Sequence, residues 1–164
     1  MKIFILIVFF SFFSNCKNVN NDYDLKESGT YKVKSDDLEM ISTIEKARNS
    51  FADFVVAFKS GSTNYDNFSI KVPLKTNDNS LEHIWLSKIE IVNNEYYGII
   101  DNLPVNIKDR YIGSRLKINP NTISDWMYLD NGKLRGGYTI LLWRSYLSVA
   151  ERKEFDKECG FIIE

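Results

Sequence analysis

The stretch LEHIWLSKIEIV, Leu81–Val92, followed by Asn93-Asn94 and then YYGIID, Tyr96–Asp101, decides the fold class. β-Branched and aromatic residues recur in both runs, and two asparagines between them suit the positive backbone angles of a tight hairpin turn. Within the first run the apolar parity changes, because Ile84 and Leu86 share one row while Ile89 and Ile91 share the other. A strand keeps its period of two unless a residue is inserted, so the switch predicts a bulge near Ser87-Lys88.

Outward from this hairpin the pattern continues. Upstream, Phe68, Ile70, Val72 and Leu74 alternate with Ser69, Lys71 and Pro73. That predicts one buried and one solvent-facing row, with Pro73 at an edge or a strand end. Downstream, Arg115–Ile118 and Ile123–Leu129 are separated by Asn119-Pro120-Asn121, and Asp130-Asn131-Gly132 turns the chain back into Lys133–Arg135. Before the strands, Leu38, Ile41, Ile44, Ala47, Phe51, Phe54, Val55 and Phe58 recur every three or four positions. They predict one amphipathic helix from Asp36 to about Lys59, lying across a sheet, with Asp36 and Glu39 in capping-box spacing and Ser60-Gly61-Ser62 as its stop.

After the strands, a helix is expected over Tyr138–Tyr146 with Thr139 as its cap, then another over Val149–Cys159, opened by Ser148 and Glu151 and closed by Gly160. The expected class is therefore α+β: an N-terminal amphipathic helix, a strongly bent antiparallel sheet of about five to six strands, and C-terminal helices. No internal repeat is evident.

The chain's address is written in its first sixteen residues. Lys2 precedes the apolar run IFILIVFFSFF, and Phe13-Ser14-Asn15-Cys16 leads into a polar stretch. The run falls far short of the roughly 20 apolar residues of a spanning helix, and it reads as the cleaved core of an export signal. Residues 1–15 are expected to form a lipoprotein-type signal peptide, with Cys16 as the lipidated residue. Phe13 and Asn15 depart from the Leu and the small residue usual at those positions, which leaves a plain signal peptide or an uncleaved anchor as alternatives.

Residues 16–34 read as a polar, Asn-rich flexible tether, and residues 35–164 as one folded domain. With Cys16 acylated, Cys159 is left without a partner and no disulfide is expected. The predicted location is the cell envelope, with the domain lipid-anchored to a bacterial membrane and facing the periplasm or exterior.

Charge excludes one class of partner. The 21 lysines and arginines are balanced by 22 aspartates and glutamates, with no basic stripe, so nucleic acid is not expected. The sequence carries no metal-ligand cluster, phosphate loop or nucleophile motif, and neither a cofactor nor a metal is expected.

Two constellations remain for chemistry. If Ile84 and Leu86 face the core, His83 and Trp85 project together from the other face of their strand. In Ile123–Leu129, Asp125 interrupts an apolar row, and a carboxylate there must be hydrogen-bonded or shifted toward neutrality. His83 with Asp125, or with Glu82, would make a general-base pair, against the simpler reading of packed structural residues. Arg135-Gly136-Gly137-Tyr138-Thr139 reads either as an anion site, with Arg144 adding charge, or as a tight strand-to-helix corner. Trp85, Trp126, Tyr128, Gly136 and Gly137 are the candidates for a binding surface, and the aromatics among them, with Trp143, are core by default.

The succession FSIKVPL, EHIW, YYGIIDNLP, IGSRLKI, ISDWMYLDNGKLRGGYT resembles the YegJ-like domain of unknown function over roughly Phe51 to Phe155. The resemblance implies an α+β domain whose motif positions here are Glu82, His83, Trp85, Gly98, Pro104, Gly113, Asp125, Trp126, Gly136, Gly137, Tyr138 and Thr139. It implies no activity, substrate or cofactor. The function expected from the sequence is a non-catalytic interaction module, tethered to a membrane through lipid on Cys16, that binds an envelope protein, peptide or glycan through a sheet face bearing Trp85 and Trp126. The alternative is a small hydrolase or transferase using His83 with an acidic partner.

Overall fold

The computed structural model describes residues 3–7, 30–34 and 37–164. Cys16, the end of the apolar run and the tether as far as residue 29 lie outside the described residues. Six antiparallel strands form the body of the sheet: β3 (Tyr65–Lys75), β4 (Leu81–Val92), β5 (Glu95–Ile100), β6 (Arg115–Ile118), β7 (Asp125–Asp130) and β8 (Lys133–Gly136). Their order is β6-β5-β4-β3-β7-β8, an open sheet. Two further strands, β1 (Ile3–Ile7) and β2 (Thr30–Lys34), pair with each other, and β1 runs parallel to β4 at Leu81–His83, below the point where β5 leaves it.

The turns follow the residues that permit them. Asn93 and Asn94 take φ 50° and 64° in the β4–β5 hairpin, and Asn131 and Gly132 take 50° and 78° between β7 and β8. The expected bulge is present: the β4–β5 register shifts between Ser87 and Glu90, with Lys88 at φ 47°. Pro73 stands opposite His83, past Lys71, the last β3 residue paired with β7. There the missing N–H costs no ladder bond on that side.

The expected long helix is two helices, α1 (Leu38–Asn49) and α2 (Phe51–Ser60), parted at Ser50 with φ −99° and ψ 7°. Its N-cap is Asp37, whose carboxylate accepts from Met40 N, one residue later than the capping-box spacing suggested. Gly61 closes α2 in the left-handed conformation. At the other end are α3 (Tyr138–Tyr146) and α4 (Val149–Glu158), the latter with the predicted Ser148–Glu151 capping box.

The central strands of the sheet are covered on both faces. On one, Phe51 and Phe54 of α2 pack against Ile70, Val72, Ile84, Leu86 and Trp126. Truncating a fully buried ring such as Phe54 to alanine costs about 3–5 kcal/mol. On the other, Ile140 and Trp143 of α3 and Phe155 of α4 close over Trp85, with Met40 and Ile44 of α1 joining them. This second layer overturns one expectation, since Lys71 is wholly buried and its row is not solvent-facing, and it covers the face carrying His83 and Trp85 as well.

Candidate functional site

Strand register sets Trp85, Lys71 and Asp125 side by side across β4, β3 and β7, under the α3 layer. Lys71 Nζ donates to Thr139 Oγ1 at 3.0 Å and lies 5.0 Å from the centre of the Trp85 ring. The Thr139 hydroxyl in turn donates to Asp125 Oδ2 at 2.6 Å, so one hydroxyl links a buried ammonium to a buried carboxylate.

Asp125 is saturated with donors. Oδ2 also accepts Thr139 N at 2.8 Å, while Oδ1 accepts Trp126 N at 2.8 Å and Tyr138 N at 3.1 Å. The N–H groups of Tyr138 and Thr139 are the first of α3 and have no intrahelical acceptor. A strand carboxylate therefore caps the helix and meets the positive end of its dipole. The expected cap, Thr139, is inside the first turn and donates to the group that does the capping.

Burial dominates the acid–base behaviour of this cluster. It pushes the Lys71 ammonium down to about 7, with Asp125 pulling the other way. Asp125 is raised by burial and held back by Lys71 and by its hydrogen bonds to Thr139 and Trp126. Burial also lowers His83 to about 3, with the cationic Lys71 and Arg48 adding to the effect.

The structure does not bring His83 and Asp125 together. They are two strands and one dipeptide apart, roughly 12 Å by strand spacing alone, with Lys71 on the strand between them. Glu82 points to the opposite face from His83, where its fully buried carboxylate accepts Val105 N at 2.7 Å and Asn106 N at 2.9 Å. Neither acid is placed to orient the imidazole for general-base work.

The glycine pair makes a corner. Gly136 and Gly137 have φ 72° and 63°, and a Cβ on Gly136 would stand 2.3 Å from the Trp126 carbonyl oxygen. The helix N–H groups that an anion would seek already belong to Asp125, and Arg144 holds Asp156 through two bonds of 2.6 Å. Trp85 and Trp126 are 4% and 3% exposed, and the Trp126 indole N–H donates to Ala47 O at 2.8 Å. Neither indole presents a ring to a partner, and Tyr128, stacked on Phe68, keeps only partial exposure. Cys159 is half-buried, and burial pushes its thiol up to about 12, away from the reactive thiolate.

Sequence reading passed over the connection between β5 and β6, residues 101–114. Glu82 grips its backbone at Val105 and Asn106, Asn102 Oδ1 accepts Trp85 N at 2.8 Å, and Asn77 Nδ2 donates to Asn106 O at 3.0 Å. Gly113 N donates to Ile100 O at 2.9 Å and closes the base. Ile107 tucks against the core, while Leu103, Val105, Tyr111 and Ile112 are 68%, 47%, 70% and 53% exposed. The signal available was length, since ordered connections of this size are uncommon and usually functional. Among the described residues no three histidine, cysteine or acidic side chains gather to hold a metal ion, and no helix is long and apolar enough to cross a membrane.

An open antiparallel sheet with helices on both faces of its central strands, and an internal Lys–Thr–Asp network, defines an α+β domain. The chain belongs to the bacterial family described as "Uncharacterized protein conserved in bacteria (DUF2314)", whose model matches residues 37–162. It is 34% identical over 101 residues to "Uncharacterized protein YegJ" of Escherichia coli, covering 62% of this chain and 64% of that one. It is 33% identical over 79 residues to a protein of Neisseria meningitidis serogroup B named "Putative ankyrin repeat protein", covering 48% of this chain and 31% of that one. In both cases the match spans less than two-thirds of the relative's length. No solved structure matches the chain.

Proposed function

We propose that this protein is a lipid-anchored, non-catalytic interaction module of the bacterial cell envelope. The observation that carries the non-catalytic part is the inward placement of the polar side chains around the motif's acids and histidine. Glu82, Asp125, Thr139 and Lys71 are fully buried and bonded within the fold, and His83 is 3% exposed. What the molecule offers outward at a fixed position is instead the apolar set on residues 101–114. The match to under a third of the Neisseria protein is consistent with a unit carried in different chain contexts. The enzyme alternative has no observation in its favour.

The anchoring part rests on the apolar run before Cys16 and on the polar stretch after it. Its test is metabolic labelling with palmitate and cell fractionation of the wild-type chain and Cys16→Ser. Wild type is expected in the membrane fraction with label, and Cys16→Ser without label. An unlabelled wild-type chain in the soluble envelope fraction would replace the lipoprotein by a simply exported protein.

A further inference from the structure

Resting on the anchored reading, we infer that the β5–β6 connection is a membrane-contact surface, with Leu103, Val105, Tyr111 and Ile112 seated in the lipid interface. Three features point to lipid. The first is composition: aliphatic side chains beside a tyrosine, whose ring is suited to the headgroup level, with Lys108 and Arg110 exposed between them. The acidic neighbours Asp101 and Asp109 are exposed as well, so the segment carries no net charge and apolar contact, not headgroup charge, drives the association.

The second is rigidity. Glu82 and Asn102 fix the backbone from buried positions, and Ile107 is committed to the core. The exposed side chains are thus displayed without the ordering cost that a loose loop would meet on binding.

The third is proximity. Fourteen positions of sequence separate Cys16 from Thr30, where β2 begins, and a chain of that length spans on average about 20 Å. An anchored domain then meets the bilayer at high effective concentration, where a small apolar surface suffices.

The test is site-specific photocrosslinking in cells, using the full chain with p-benzoylphenylalanine in place of Ile112 and, as a control, of Val149. Val149 is 86% exposed at the start of α4. The expected result is a phospholipid adduct at Ile112, identified by mass, several-fold more abundant than at Val149 and unchanged by raised salt. Crosslinking of Ile112 to protein without lipid, or equal lipid adducts at both positions, overturns the inference. Palmitate labelling of the same preparations separates the two failures. Label with no lipid adduct at Ile112 removes the contact surface alone, whereas absence of label removes the anchor on which it rests.

Discussion

Gly136 passes directly under Trp126: a Cβ on the glycine would come within 2.3 Å of the Trp126 carbonyl oxygen and 2.5 Å of its ring. The tightness and the left-handed backbone at φ 72° act together, so Gly136→Ala is expected to cost at least about 3 kcal/mol. Urea unfolding followed by Trp fluorescence measures it. A change below about 1 kcal/mol would mean that the β8–α3 corner yields.

Lys71 should impose an alkaline rise in stability. Its ammonium titrates near 7 in the folded chain against 10.5 when unfolded, so between those values the unfolded chain binds the extra proton and folding strengthens as pH rises. The slope approaches about 1.4 kcal/mol per pH unit at most. Above pH 9 the half-buried Cys159 thiol, held near 12, works in the opposite sense, so the window that isolates Lys71 is pH 7 to 9. Lys71→Met should flatten the curve there, and an unchanged slope would assign it elsewhere.

His83 is the chain's one histidine, and its imidazole is expected to remain neutral at pH 5. With a folded value near 3 against 6.5, its contribution is complete above pH 6.5 and drains away as pH falls toward 3. Imidazole nitrogen shifts in an NMR titration report this directly. A midpoint near 6.5 would show that the ring reaches water.

Glu82→Ala removes both acceptors for Val105 N and Asn106 N. Hydrogen bonds to a charged partner contribute about 1.5–3 kcal/mol each, so a loss of about 3–6 kcal/mol is expected for the two, with faster amide exchange confined to the start of the β5–β6 connection. Slow exchange there in the variant would show that Asn102 and Asn77 hold the segment without the carboxylate.

Much of the fold was legible because hairpins write their turns locally. Asn93-Asn94 and Asn131-Gly132 carry the positive backbone angles in their own residue types, and the parity switch across Ser87-Lys88 is itself the bulge. The alternation around Lys71 was equally visible, but a polar row says only that it differs from its neighbour. What closes over it is a contact 68 positions away in the chain, Lys71 with Thr139. The same limit hid the capping of α3. Thr139 has the composition of a cap, whereas Asp125, fourteen residues earlier, has the position. The kink at Ser50 left the helical period intact on both sides and so left no trace in the pattern. Of the site residues, the sequence singled out Asp125, Trp126 and the glycines, but residue type alone carries no means of telling a binding role from a packing one.

The grip of Glu82 on residues 105 and 106 has an evolutionary consequence. Loops that recognise partners usually diversify by changing length and backbone shape, since little in the core depends on them. Here the backbone of the connection closes the coordination of a buried carboxylate, so lengthening it between Asn102 and Asn106 would strand a charge in the interior. Change is channelled into the exposed side chains at 103, 105, 111 and 112, and the surface can be retuned in chemistry far more readily than in form.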